Sequence, residues 1–198
     1  MTTTPDLSPA TGQISMLVER IDDEQLTAPT PCTEFAVRDL LGHLVGLTLA
    51  FRNAATKTPM GGQGEPGQSG AELDGWRARL PAQLDGLAIA WRGPTAWEGT
   101  TEVGGISLTG AMAGGFARNE LVLHGWDLAK AIGQPFDADP ATVDACLSFT
   151  AEAIEEGFGD AYGPPVAVAD EAPLLDRLLG LAGRDPSWAA PIPSGGES

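Results

Sequence analysis

The stretch that decides the fold is Asn119-Glu-Leu-Val-Leu-His-Gly-Trp-Asp-Leu-Ala129, which mixes apolar and ionisable residues at helical spacing. It belongs to a periodic apolar segment from about Leu108 to Ile132, and Gly133 follows as a common helix terminator. Glu120 and His124 are four residues apart, so a helix places them on nearly the same side. The sequence therefore predicts a long helix with ionisable side chains on a core-facing stripe.

Other segments of the chain also repeat apolar residues at helical spacing. They predict helices at about residues 8–26, 33–55, 73–91 and 140–158, and a short helix within 173–183. Thr33 is the predicted N-cap of the second helix. Residues 59–70 are predicted to be a flexible linker, and residues 93–105 an irregular connection with a short β-hairpin. Long amphipathic helices with little strand signal predict an all-α helix bundle.

Composition indicates one acidic globular domain. We expect the bundle to span residues 6–160, followed by a tail at 161–198 with a short helix and a disordered end. The 11 Lys+Arg against 27 Asp+Glu give a net charge of −16. This charge repels phosphate backbones and anionic lipids, so we expect neither a nucleic-acid nor a membrane partner. No secretory signal is evident, and two cysteines are too few for a disulfide scaffold, so we expect a cytoplasmic protein.

The chain has only two histidines, and both lie in predicted helices. If the helices that carry them face one core, His43, Glu120 and His124 converge as a two-histidine, one-carboxylate set. Catalytic zinc uses such a set and leaves a fourth position open for water or substrate. The structural alternative is a half-buried imidazole at His43 and a Glu120–His124 pair that only supports its helix. Spacing alone leaves both interpretations open.

Three further residues have candidate roles near this set. Asp127 lies one turn beyond His124, where it can hold a ligand imidazole from outside, act as a fourth ligand, or be a solvated carboxylate; we favour the first role. Cys32 precedes the second predicted helix, whose N-terminus would favour a thiolate ligand or reactive thiol. A small buried residue that packs the helix entry is the favoured interpretation of Cys32. Cys146 is predicted to lie in the core.

Three segments carry a family resemblance. They are Pro29-Thr-Pro-Cys-Thr-Glu-Phe-Ala-Val-Arg-Asp-Leu-Leu-Gly-His-Leu44, the stretch 119–129 and the ending Ala172-Pro-Leu-Leu-Asp-Arg-Leu-Leu-Gly-Leu-Ala-Gly-Arg-Asp-Pro-Ser-Trp188. They resemble the actinobacterial metal-binding DinB-like proteins related to the N-terminal domain of mycothiol-dependent maleylpyruvate isomerase, and the ending is similar to that of short-tailed members.

The resemblance implies an up-down-down-up four-helix bundle that holds a divalent metal, most often zinc, although nickel also suits imidazole. By motif match it implies that His43, Glu120 and His124 are the metal ligands. It also implies mycothiol or a similar low-molecular-weight thiol as cosubstrate, with S-transfer to or isomerisation of a small electrophile. A thiol on such a metal is deprotonated near neutral pH and becomes a nucleophile.

Two other functions fit the same residues. One is a metal-dependent hydrolase in which Asp127 is the general base. The other is a non-enzymatic bundle that binds a ligand or protein, with a structural metal closed by Asp127 or Cys32 as fourth ligand. A small-molecule substrate is expected for either enzyme, and the oligomeric state is left open, a homodimer included.

Overall fold

The computed structural model describes residues 5–58 and 73–191. Within these residues the chain forms six α-helices and one two-stranded antiparallel hairpin. In chain order they are α1 Ser8–Val18, α2 Val37–Ala55, α3 Trp76–Trp91, β1 Thr100–Val103, β2 Ile106–Thr109, α4 Gly110–Ala131, α5 Pro140–Ala153 and α6 Leu174–Leu181. Short 3-10 turns lie at Asp23–Thr27, Pro94–Trp97 and Gly159–Ala161, and a π-turn at Ile154–Phe158. The predicted all-α bundle with a short β-hairpin is confirmed.

The core of the bundle lies between α1, α2, α3 and α4, which pack against one another. Its fully buried leucines come from three of these helices: Leu40, Leu41, Leu44, Leu80, Leu84, Leu87, Leu121 and Leu128. Burying each such side chain contributes about 2 kcal/mol. Packing of these apolar stripes therefore fixes α2 next to α4, and these are the two helices that carry the histidines.

Helix α4 is the most deeply buried helix, and its small residues explain how closely its neighbours approach. Its N-cap, Thr109, accepts a hydrogen bond from the Met112 backbone N–H at 3.1 Å. A Cβ added at Gly115 would lie 2.1 Å from a ring carbon of Phe149, so only glycine allows α5 to pack at this distance. Gly133, with φ +68°, ends the helix in the left-handed region, as its sequence position predicts.

The first two predicted helices have wrong boundaries for local reasons. Helix α1 ends at Val18 rather than near residue 26, because the chain becomes extended at Asp22 and restarts as a 3-10 turn. The Asp22 backbone N–H donates to the Gln25 side chain at 3.0 Å, which caps this new turn. Residues 23–27 are therefore a separate turn and not the last turn of α1.

Helix α2 begins at Val37 and not at Thr33, so the prediction that Thr33 is its N-cap is wrong. Residues 31–34 form a turn, in which the Phe35 backbone N–H donates to the Cys32 carbonyl at 2.9 Å, and Ala36 forms an isolated β-bridge with Pro29. The Ala36 backbone N–H donates to the Asp39 carboxylate at 3.1 Å, so Asp39 supplies the capping oxygen from the first turn. This start places Phe35 and Cys32 in a loop ahead of the helix.

The fifth helix is shorter than predicted, since α5 ends at Ala153 rather than near residue 158. The buried residues of α5 are Val143, Cys146, Phe149, Thr150 and Ala153. The helix lies against α4 and α6, and it ends in a π-turn in which Gly157 has φ +94°. The predicted core position of Cys146 is confirmed, since its side chain is fully buried.

The C-terminal segment, residues 161–191, packs back onto the bundle through α6, which contacts α5. The Val166 backbone N–H donates to the Gly180 carbonyl at 2.8 Å, so residues near 166 lie along α6. The division of the chain at residue 160 stays a prediction. The predicted linker at 59–70 and the last part of the predicted disordered end, residues 192–198, lie outside the described residues.

None of the described helices combines the length and the apolar character that crossing a bilayer requires.

Candidate metal centre

Helices α2 and α4 bring the three predicted ligands together. His43 comes from the middle of α2, and Glu120 and His124 come from successive turns of α4. The Oε2 atom of Glu120 lies 3.1 Å from Nε2 of His43 and 3.1 Å from Nε2 of His124. The two imidazole rings are edge to face, with their centroids 4.8 Å apart. Two helices far apart in sequence therefore direct one nitrogen of each histidine at the same carboxylate oxygen.

The burial of this cluster differs from one side to the other. The side chain of His124 is 7% exposed, that of His43 is 17% exposed and that of Glu120 is 27% exposed. The ring of Phe35 lies against both imidazoles, with centroid distances of 5.3 Å to His43 and 6.4 Å to His124. Phe35 thus supplies an apolar wall, while solvent reaches the cluster on the side of Glu120.

Asp127 holds the far side of His124. Its carboxylate is fully buried, and its Oδ2 atom lies 3.0 Å from Nδ1 of His124. The same oxygen accepts a hydrogen bond from Nη2 of Arg184 at 3.3 Å. A carboxylate on Nδ1 favours the tautomer whose lone pair is on Nε2, the nitrogen that faces Glu120. By contrast, Nδ1 of His43 is buried without a hydrogen-bond partner among the described residues.

Contacts within the cluster shift the pKa values of Glu120 and His124 in opposite directions. Burial raises the pKa of Glu120, but the hydrogen bonds from His124 and His43 outweigh it and hold this pKa well below its usual range. Burial lowers the pKa of His124, but its bonds to Asp127 and Glu120 outweigh this and raise the pKa to about 9. Without a metal, therefore, the cluster holds a protonated imidazole between two carboxylates.

The donor set fits a divalent ion. A tetrahedral zinc ion with bonds of about 2.0–2.1 Å places its ligand atoms about 3.3 Å apart. The two measured separations of 3.1 Å are close to that value, and all three ligand atoms lie within 4.8 Å of one another. Two imidazoles and one carboxylate also match the preference of zinc for nitrogen and oxygen donors.

Cys32 lies beside this cluster but in a different set of potential ligands, which consists of Cys32, His124 and Asp127. Burial raises the pKa of the Cys32 thiol, the Asp127 charge raises it further, and Arg184 opposes the shift. Cys32 precedes α2 by a loop and does not lie at the helix N-terminus. The alternative in which a helix N-terminus favours a Cys32 thiolate therefore loses its basis, since this effect is confined to the first turn. The favoured interpretation, a small buried residue at the helix entry, holds in part, because Cys32 is half-buried. Burial raises the pKa of Cys146 to about 11.

The sequence patterns missed two polar groups around the cluster. Arg184 follows α6, far from α4 in sequence, and no periodicity links it to Asp127. Asn119, next to Glu120, is buried, and it donates from Nδ2 to Thr150 at 2.6 Å and to the Tyr162 hydroxyl at 3.0 Å. The burial of Asn119 was predictable in part, because α4 is apolar on almost every side and therefore has few exposed positions.

Comparison with known proteins assigns this chain to a family. The family model described as the mycothiol maleylpyruvate isomerase N-terminal domain matches residues 7–129. That range contains His43, Glu120, His124 and Asp127, whereas Arg184 lies outside it.

Individual relatives extend the similarity to most of the chain. An uncharacterized protein of Mycobacterium tuberculosis, found in two strains, is 29% identical over 195 residues, which cover 88% of this chain and 93% of the relative. The fold is similar to the crystal structure of a histidine-to-alanine mutant of the mycothiol-dependent maleylpyruvate isomerase. That match has a TM-score of 0.61 at 16% identity, and it covers 90% of this chain and 86% of the other. Since the family model covers more than half of the residues, this chain belongs to the mycothiol maleylpyruvate isomerase N-terminal domain family.

Proposed function

We propose that this protein is a divalent-metal-dependent enzyme, with zinc the best-fitting ion, that acts on a small electrophile with the help of a low-molecular-weight thiol such as mycothiol. The reaction is an S-transfer or an isomerisation through reversible thiol addition. One observation carries the proposal: Oε2 of Glu120 lies 3.1 Å from Nε2 of both histidines, in a cluster that solvent reaches. Membership of the family supports the choice of mycothiol.

The ligand set suits an exogenous thiol. Three protein ligands leave one tetrahedral position for a further ligand. Two neutral imidazoles and one carboxylate leave a divalent ion with a net charge of +1, which a single thiolate neutralises. The ion would lower the pKa of a thiol bound to it and so supply a thiolate nucleophile at neutral pH.

Residues around the three ligands have further roles in this proposal. Asp127 keeps Nε2 of His124 directed at the centre by accepting from Nδ1. Phe35 packs against both imidazoles and shields them from water, which strengthens electrostatic interactions in the site. The 27% exposure of Glu120 marks the side from which thiol and electrophile approach. Because the net charge of −16 repels anions, a neutral electrophile suits this protein better than an anionic one.

The geometry favours this proposal over a hydrolase. A general base must reach the proton it removes, yet Asp127 is fully buried and its Oδ2 is engaged by His124 and Arg184. The non-enzymatic alternative has one observation in its favour, since Cys32 lies near His124 and Asp127. A thiolate from Cys32 on the same ion would close the site, and cobalt substitution separates this case.

Cobalt substitution tests the proposal. Cobalt(II) replaces zinc in such sites, and a thiolate ligand adds an intense near-ultraviolet charge-transfer band. We expect the cobalt protein to show no such band alone and to gain it on titration with mycothiol, in wild type and in the C32S variant alike. Loss of cobalt binding in E120Q, but not in E152Q at an exposed position of α5, ties the site to Glu120.

Three results would contradict the proposal. A thiolate band before any thiol is added, absent in C32S, would indicate a closed structural site. A cobalt spectrum that mycothiol leaves unchanged would exclude thiol binding at the metal. Turnover of ester or amide probes without any thiol would favour the hydrolase.

A further inference from the structure

Arg184, in the C-terminal segment, contacts Asp127, the carboxylate on the far side of His124. Its Nη2 lies 3.3 Å from Oδ2 of Asp127, and its Nη1 donates to the Ala182 carbonyl at 2.7 Å. The side chain is only 10% exposed and Asp127 is not exposed at all. The two terminal NH2 groups of the guanidinium are thus engaged inside the protein, whereas its buried Nε has no hydrogen-bond partner among the described residues. Arg184 is placed to hold Asp127 rather than to bind a ligand from solvent.

The fold fixes the position of Arg184 through the end of α6. The Arg184 backbone N–H donates to the Leu179 carbonyl at 2.8 Å, and Gly183 has φ +81°, so the chain turns back at this point. A Cβ added at Gly183 would lie 2.6 Å from backbone atoms of Gly163. The helix end is therefore pressed against residues near 163, and this contact aims the guanidinium at α4.

Asp127 needs such a partner more than an ordinary carboxylate does. A fully buried carboxylate is costly unless it is paired and hydrogen-bonded. Oδ2 of Asp127 receives both Nδ1 of His124 and Nη2 of Arg184, whereas Oδ1 has no hydrogen-bond partner among the described residues. The orientation of the carboxylate thus depends on one oxygen that two donors share.

The two proposed ligand histidines differ in this respect. His124 has a carboxylate on its second nitrogen, whereas Nδ1 of His43 lacks a hydrogen-bond partner among the described residues. Outer contacts of this kind orient a ligand imidazole and tune its affinity for the metal. Asp127 is therefore the side chain that contacts the second nitrogen of a proposed ligand histidine, and Arg184 is the cation that contacts Asp127.

We infer that Arg184 is a positioning residue of the metal centre: by holding Asp127 it keeps His124 aligned, so that the C-terminal segment controls the affinity of the bundle for its metal. This inference rests on the proposed function for the identity of the site. It goes beyond the family match, which ends at residue 129.

Zinc affinity, measured by competition with a chromophoric chelator on the full chain, tests the inference. Removing an outer contact to a metal ligand costs about 10–100-fold in affinity, and we expect R184M to weaken zinc binding by about 10-fold. R184Q keeps a donor for the Ala182 carbonyl but loses the charge. We expect it to weaken zinc binding by the same factor, and it replaces R184M if R184M does not fold. The matched control is R118M. Arg118 donates to the Ala145 carbonyl at 2.9 Å and not to Asp127. We expect R118M to leave zinc affinity unchanged.

A double-mutant cycle with D127N separates positioning from a merely structural role. Interacting residues give non-additive effects, whereas independent ones add. We expect R184Q to change zinc affinity by less than about twofold in the D127N background. If Arg184 only stabilises α6, R184Q lowers the urea midpoint but leaves zinc affinity equal to that of R118M, which overturns the inference.

The outcomes distinguish this inference from the proposed function. If wild type binds zinc and R184Q binds it with equal affinity, the inferred role of Arg184 is overturned, whereas the proposed function stands. If R184Q lowers zinc affinity equally in the wild-type and D127N backgrounds, the inferred role of Arg184 is also overturned, because the effect then does not depend on Asp127. Wild type that binds no divalent metal overturns both.

Discussion

The protonated imidazole between Glu120 and Asp127 makes the stability of the metal-free protein depend on pH in a predictable direction. Hydrogen bonds to the two carboxylates outweigh burial and raise the pKa of His124 from 6.5 to about 9. Folding therefore favours the charged form of this side chain. The perturbation is a rise in pH applied to protein from which metal has been removed.

The magnitude follows from linkage between protonation and folding. A group whose folded-state pKa is raised stabilises the fold fully below its unfolded pKa of 6.5, and this stabilisation is lost as pH rises through 9. Each pKa unit corresponds to about 1.4 kcal/mol, so the shift amounts to roughly 3 kcal/mol. That is a substantial part of the unfolding free energy of a typical folded domain, which is roughly 5–15 kcal/mol.

The assay is urea unfolding in the presence of a chelator at a series of pH values from about 6 to 9.5, for wild type and for H124Q. The glutamine keeps a polar group next to Asp127 but does not titrate. We expect the unfolding free energy of wild type to fall by about 3 kcal/mol more than that of H124Q over this range. Parallel curves for the two proteins would refute the reasoning, because the cluster would then not bind the extra proton.

Three further predictions concern the centre, the cysteines and the core. E120Q, which removes the shared oxygen, weakens zinc binding by more than about 100-fold by chelator competition, beyond the range of an outer-contact change; an affinity equal to that of E152Q contradicts this. In folded protein at pH 8, iodoacetamide labels Cys146 far more slowly than Cys32, because Cys146 is fully buried and its pKa is raised to about 11. Mass spectrometry, with denatured protein as control, measures the two labelling rates. Equal rates in the folded protein contradict this prediction. L44A lowers the unfolding free energy by about 2–5 kcal/mol, and a loss no larger than that of I89A, at a 63% exposed position, would contradict the observed packing.

Much of the bundle follows from apolar periodicity. The spacing that predicts α4 at about residues 108–132 matches the observed Gly110–Ala131 closely, because this helix is buried along its whole length. The spacing of Glu120 and His124 likewise places both on one face, and they do converge. Where a helix is defined by its own apolar stripe, the sequence is enough to locate it.

Other features depend on contacts between distant residues, which a local pattern does not contain. Helix α2 starts at Val37 because Ala36 pairs with Pro29 and is capped by Asp39, not because of the residues near Thr33. The contact of Arg184 with Asp127 spans 57 positions and depends on how α6 ends. Contacts of this kind can be predicted only when the packing of the bundle is known.

X-ray absorption at the zinc edge, with and without mycothiol, tests the central claim most directly. We predict two imidazole nitrogens and carboxylate oxygen at about 2.0–2.2 Å without thiol, and one additional sulfur at about 2.3 Å once mycothiol is present. A sulfur already present before mycothiol is added, or no sulfur after saturation, would contradict an open metal centre that activates an exogenous thiol.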